Sequence, residues 1–136
     1  MKFHTYSDGG ARGNPGPSAI GAVLCDEKDK IIEEAAEFIG IGTNNVAEYR
    51  AMLKALELAK KAGATELLCS ADSQLLIFQM TGQYRIKHPA MQELAALVKK
   101  SILDFKKVTW RHVPRENPIV TRADKILNDV LDRTPR

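Results

Sequence analysis

The sequence predicts an α/β protein: a mixed five-stranded sheet flanked by helices. Three observations carry that expectation. Residues 1–39 alternate strand-like apolar runs with short polar or Gly/Pro-rich connections, which suits an antiparallel meander of three strands. Past Thr43 the apolar spacing lengthens from two residues to about 3.6, the period of a helix. Two later apolar runs, Glu66 to Ala71 and Lys107 to Val113, are each reached across helical segments, as strands added by crossovers are.

In chain order, Lys2 to Ser7 reads as the first strand. It hands over to a loop rich in Gly and Pro, with Asp8 at the junction. Ala19 to Leu24 is the second strand, its small residues suiting close packing, and Asp26 to Lys30 is a polar turn. Ile31 to Ile39 is the third strand, and Gly40 to Thr43 a break. Asn44 or Asn45 can cap a helix over Val46 to Ala62, with Tyr49, Leu53, Leu56 and Ala59/Lys60 on its inner spacing and Gly63 ending it in a left-handed turn. Glu66 to Ala71 is a buried strand that stops at Asp72. Ser73 to Met80 forms a short helix, and Thr81 to Tyr84 breaks it. Pro89 opens the next helix, with Leu94, Leu97, Val98 and Ile102 as its buried face. Lys107 to Val113, containing Trp110, is the fifth strand, and Pro114 to Thr121 a connection. Arg122 to Leu131 is the last helix, apolar at Ile126, Leu127, Val130 and Leu131, and Thr134 to Arg136 are expected to fray.

The 136 residues suit one domain, residues 1–136, with no repeat or linker. A 44% hydrophobic and 27% charged composition is that of a globular protein, and no apolar run approaches a membrane span. Met1-Lys2-Phe3 leads into a strand pattern instead of a signal peptide, so a cytoplasmic protein without membrane partners is expected. Cys25 and Cys69 lie apart in apolar runs with no Cys/His cluster, which disfavours zinc and suits buried thiols. A net charge of +3 permits a nucleic acid partner without requiring one, and the basic residues become denser from Lys99 onward.

Asp8 and Asp72 each follow an apolar strand. If a crossover through the first helix makes those strands parallel neighbours, both carboxylates meet at one sheet edge. Glu48 stands near the start of that helix in an apolar Val-Ala-x-Tyr context and could face inward, although a first-turn acid favoured by the helix dipole reads the same way. Asp124, near the start of the last helix, carries the same two readings, and an Asp-Gly pair alone is ordinary turn chemistry. Converging carboxylates repel unless a cation joins them, and all-oxygen ligands select Mg²⁺ or Mn²⁺. Two such ions ~3.5–4 Å apart suit phosphodiester hydrolysis.

Four segments resemble, in order, the signature blocks of type 1 ribonuclease H: Tyr6-x-Asp8-Gly9-Gly10-x-Arg12-Gly13-Asn14-Pro15-Gly16-Pro17, Thr43-Asn44-Asn45-x-Ala47-Glu48-Tyr49, Asp72-Ser73-Gln74 and Ala123-Asp124. They span nearly the whole chain, and the His112 to Glu116 segment is similar to one in the compact bacterial and archaeal branch. The resemblance implies the ribonuclease H-like fold and a metal site of Asp8, Glu48, Asp72 and Asp124. In that site Asp8 bridges two Mg²⁺ ions with help from Asp72, Glu48 holds one and Asp124 the other, with Mn²⁺ as a substitute. It implies hydrolysis of the RNA strand of an RNA–DNA hybrid to 5′-phosphate and 3′-hydroxyl ends, by a protein expected to be a monomer. Activity on double-stranded RNA is left open.

By the same resemblance, backbone groups of the Gly10 to Asn14 loop (Gly10, Arg12 and Gly13 among them), with Asn14 and Gln74, face the RNA strand, where the 2′-hydroxyl identifies it. Asn44 and Asn45 face the minor groove, and Thr43 belongs to a pocket for a DNA phosphate. Arg115 is the candidate mobile basic catalytic residue, with Arg122 in reserve and His112 structural. The stretch from Arg115 to Asp124 is longer than the family's and contains Pro118, so delivery of Asp124 is the point that tertiary structure must decide. A catalytically impaired nucleic-acid-binding domain on the same fold is the alternative, and a different metal-dependent nuclease of the superfamily a further one. The Gly-rich loop matches neither nucleotide-binding fingerprint.

Overall fold

A computed structural model describes residues 1–134; of the segment expected to fray, Pro135 and Arg136 lie outside the described residues. The strands are β1 (Lys2–Ala11), β2 (Gly16–Cys25), β3 (Ile31–Gly42), β4 (Glu66–Ala71) and β5 (Lys107–His112). The helices are α1 (Asn44–Lys61), α2 (Gln74–Met80), α3 (Pro89–Ser101) and α4 (Pro118–Arg133), with a 3₁₀ turn at Ile102–Asp104. The sheet runs β3-β2-β1-β4-β5. The first three strands are the expected antiparallel meander, and β4 and β5 are added parallel to β1.

The helices take opposite faces. On one, α1 and α3 pack Tyr49, Met52, Leu56 and Val98 against Phe3, Leu24 and Leu67. On the other, α4 sets Val120 and Ala123 against Tyr6 and Val23, and Leu127 and Leu131 against Ala19. Strand β2 is buried on both faces, which is why Ala19 to Cys25 reads as a continuous apolar run without alternation. Cys25 and Cys69 are both buried and free.

Several boundaries differ from the sequence expectation. Strand β1 continues past Ser7 to Ala11, because β2 still supplies antiparallel partners for Asp8 through Ala11. The break expected at Gly40–Thr43 is a bulge inside β3: Ala19 pairs with Phe38 and Ser18 with Gly40, leaving Ile39 as the extra residue before Gly40 at φ +86°. Thr43, not Asn44 or Asn45, caps α1, its hydroxyl accepting from Val46 N–H at 3.2 Å. Gly63, at φ +81°, turns the chain out of α1 as expected. The buried face of α3 is Met91, Ala95 and Val98, whereas Leu97 is 51% exposed.

The largest difference is α4, which begins four residues before Arg122. Asn117 caps it, its side-chain oxygen accepting from the N–H groups of Ile119 and Val120 at 2.9 and 3.2 Å. Pro118 is then the first helical residue, where its missing N–H would be unpaired in any case. The apparently long loop is therefore mostly helix.

Candidate active site

The site starts where β1 outruns β4. The parallel ladder ends at Ser7 opposite Ala71, while the antiparallel ladder with β2 carries on to Ala11. Asp8 is thus held by backbone pairing on one side only and opens on the other to a groove. Asp72 directly follows β4, so the same register brings it beside Asp8.

Two glycines bring the helices to that point. A side chain on Gly9 would collide with the backbone of Ala47 and Glu48, so its absence lets the start of α1 lie against β1. Glu48 accepts a hydrogen bond from Gly9 N–H and is only 9% exposed. Gly21 sits directly across from Asp8 on β2, and a side chain there would collide with the carbonyl of Ala123. Helix α4 therefore crosses the sheet beside Asp8, and Asp124 comes within hydrogen-bonding reach of it. Glu48 lies just over one turn inside α1 and Asp124 nearly two turns inside α4. The helix dipole acts mainly on the first turn, so tertiary approach accounts for their placement and the dipole does not.

Asp8, Glu48 and Asp72 each offer an oxygen within 4.8 Å of the others. Burial, followed by the charges of Glu48 and Asp72, holds Asp8 far above the usual carboxylate range. Burial and then Asp72 push Glu48 up, against the opposing Gly9 N–H. Burial also raises Asp72, with Arg115 among the groups opposing the rise. Three neighbouring carboxylates repel one another when all are charged, and a cation placed among them would relieve that repulsion as protons do. An oxygen-only, closely spaced donor set of this kind fits a hard divalent metal ion.

The groove over these acids has a volume of about 480 Å³. Gly10, Arg12, Asn44, Asn45, Arg115 and Asp124 line it. Gly13, Asn14, Thr43 and Gln74 are not among its lining residues. Asn14 accepts from Asn44 N–H at 3.0 Å, Thr43 caps α1, and Gln74 is exposed at the start of α2. Arg122, the reserve basic residue, hydrogen-bonds Glu34 of β3 twice and is not among the lining residues of the groove. His112 is exposed, with Nε2 3.2 Å from the Asp72 carbonyl oxygen.

Sequence reasoning missed Gly9 and Gly21 as determinants of the site, and Ser73 and Asn128 in its wall. Ser73 had a readable signal, since it directly follows Asp72 and caps α2 by accepting from Leu76 N–H at 3.2 Å. Gly21 had only a general one: small residues in its strand suit close packing, but nothing local says that a helix more than a hundred residues away will cross it.

The model of the reverse transcriptase-like family matches residues 6–125. Ribonuclease HI of Halobacterium salinarum is 37% identical over 131 residues, covering 96% of this chain and 65% of that protein. A bifunctional protein of Mycobacterium tuberculosis is 39% identical over 133 residues, covering 97% of this chain and 36% of its own length. The chain thus spans between about a third and two thirds of those relatives. Among solved structures, RNase H1 of Halobacterium salinarum superposes with a TM-score of 0.93 at 36% identity, covering 98% of this chain and all of that one. LC11-RNase H1 in complex with an RNA/DNA hybrid superposes with a TM-score of 0.90 at 38% identity, covering 96% of this chain and 97% of the other.

Proposed function

This chain belongs to the reverse transcriptase-like family as a ribonuclease H-like domain, and from that membership we propose that it is a metal-dependent endonuclease hydrolysing the RNA strand of RNA–DNA hybrids to 5′-phosphate and 3′-hydroxyl ends. The observation that carries the reading is the convergence of Asp8, Glu48 and Asp72 from three separate elements on the floor of an open groove, with Asp124 against Asp8. All four acids come from one chain, so the proposed site needs no residue from a second copy. The position of Asp124 in the lining of the same groove supports a working site over an impaired, binding-only domain.

Asp8, Glu48, Asp72 and Asp124 would hold two divalent ions, Mg²⁺ with Mn²⁺ as substitute. Bound there, such ions supply the Lewis acidity that phosphodiester hydrolysis needs. The chain's own residues do the rest. Exposed Asn44 and Asn45 line the groove; the Asn45 amide can accept and donate at base edges, while Asn44, whose Oδ1 accepts from Ala11 N–H, can offer its NH₂ group. The backbone after Gly10 faces the strand whose 2′-hydroxyl must be read. Arg115, exposed and close to Asp72, brings a positive charge to the phosphate being cut.

The reading is tested by incubating RNA–DNA hybrid, double-stranded RNA and double-stranded DNA with Mg²⁺ or Mn²⁺. Cleavage confined to the RNA strand of the hybrid, leaving 5′-phosphate ends, is the expected result. Failure to cut the hybrid with either metal would overturn it.

Binding is expected to be weak and salt-sensitive, because contact rests on the groove and scattered cations. A hybrid neutralising about four phosphates should lose roughly two orders of magnitude in affinity over a fourfold rise in salt. A titration of affinity against salt checks this, and a flat response would contradict it.

A further inference from the structure

We propose that Arg12 is a positioning residue: it latches the loop between β1 and β2 to α4 and so holds the helices bearing Glu48 and Asp124 in fixed relation. The proposal rests on the hybrid-cleaving reading above, and gives the Arg12 side chain a role beside the backbone contact with the RNA strand that the resemblance implies for this loop.

A continuous run of hydrogen bonds joins the two helices through this loop. On one side, Asn44, the first residue of α1, donates its N–H to Asn14 Oδ1 at 3.0 Å, and its own Oδ1 accepts from Ala11 N–H at 2.9 Å. Glu48 stands one turn further along the same helix. On the other side, Arg12 Nη2 donates to Asp132 Oδ1 at 2.6 Å and approaches Asn128 Oδ1 at 3.3 Å and its carbonyl at 3.4 Å. Asn128 in turn donates from Nδ2 to the Asp124 carbonyl at 2.9 Å, fixing the turn that Asp124 opens.

The loop is rigid enough to transmit this. Arg12 N–H donates to the Pro17 carbonyl at 2.8 Å, and Gly13 turns the chain at φ +106°. Gly16 packs so close to Arg12 that a side chain on it would collide with the Arg12 carbonyl. The Arg12 backbone is therefore fixed, and its guanidinium is aimed at α4.

A direct phosphate contact by Arg12 would require it to leave or share the Asp132 carboxylate. The two roles therefore give opposite results when Asp132 is removed. A latch needs both partners, so losing either should have the same effect. A phosphate contact that Asp132 holds back should improve when Asp132 is gone.

The test compares wild type, Arg12→Ala, Asp132→Ala and the double variant by hybrid cleavage kinetics. In parallel, the Mg²⁺ concentration that half-maximally raises the melting temperature is measured without substrate. A latch predicts that each single variant lowers kcat by about 5- to 10-fold with KM changed less than about twofold, and that the double variant is no worse than either. It also predicts an equal upward shift of the Mg²⁺ midpoint in all three. The proposal is overturned if Arg12→Ala raises KM and flattens its salt dependence while Asp132→Ala lowers KM. It is equally overturned if the variants lose thermal stability but keep wild-type kcat and Mg²⁺ midpoint. If wild type leaves the hybrid uncut, the functional reading fails, and the Mg²⁺ midpoints alone then judge the latch.

Discussion

Asp8→Asn is expected to lower metal-dependent hybrid cleavage by about 10³-fold or more and, in the same protein, to make the metal-free fold more stable. The two effects share one cause. Asp8 is 8% exposed and faces Glu48, Asp72 and Asp124, so its charge is costly without a cation and useful with one. A neutral amide of the same size removes the like-charge repulsion, a gain of about 1–3 kcal/mol and a rise of roughly 3–8 °C in Tm.

The pH dependence fixes the sign. Asp8, Glu48 and Asp72 have folded-state affinities for the proton raised above their ordinary values of 3.8, 4.5 and 3.8. Above those values the metal-free folded state holds protons that the unfolded chain has released, so stability falls as pH rises from the acid range through neutrality. If Mg²⁺ is the ion held by these acids, as proposed, its binding to the folded state should reverse the fall, by about 2.7 kcal/mol at a hundredfold excess over its Kd. Thermal melts of both proteins from pH 5 to 9, with chelator and with Mg²⁺, check this. Asp8→Asn should show a shallower fall and little response to Mg²⁺. A variant less stable than wild type throughout, or one that Mg²⁺ still stabilises fully, would contradict the assignment.

Gly21→Ala is the second large effect. Its methyl group would meet the carbonyl of Ala123, which is backbone inside a helix and cannot swing aside. Helix α4 must then retreat from β2, loosening Val120, Ala123 and Leu127 against the sheet. A loss of about 1–3 kcal/mol is expected from that overpacking. Asp124 retreats with the helix, and a displacement of about 1 Å costs on the order of 10² in kcat. Gly10→Ala in the neighbouring strand is the control for stability, because the nearest atom to a side chain there is the flexible end of Leu127 at 3.4 Å. Denaturant unfolding of the two variants measures the contrast. Equal stability in both would show that α4 does not depend on Gly21.

Much of this protein was legible in its sequence. The meander, the crossover strand ending at Asp72, the short helix after it and the proline opening α3 all follow from patterns a few residues long. So does the convergence of Asp8 with Asp72, since each follows an apolar run, and the parallel pairing of those two runs stops just before both carboxylates and leaves them adjacent. Boundaries that depend on more distant partners were not legible. Strand β1 runs on to Ala11 because β2 continues to pair with it, and Ile39 is bulged because β2 fixes the register on either side. The Pro118 region read as a loop because a proline in mid-pattern suggests interruption, whereas at the first helical position it starts the helix.

The sequence by itself determined the residue types: four carboxylates, each tied to a recognisable strand end or helix start, and a Gly-rich loop beside the first. Only the tertiary structure decided which of them meet and what holds them together. Gly9 admits α1 to one side of β1, Gly21 admits α4 beside Asp8, and Arg12 spans the loop to Asn128 and Asp132. The physical reason is that close approach depends on a missing side chain at one position and a backbone far along the chain at another. No local pattern records that coincidence, whereas alternation and capping are local by nature.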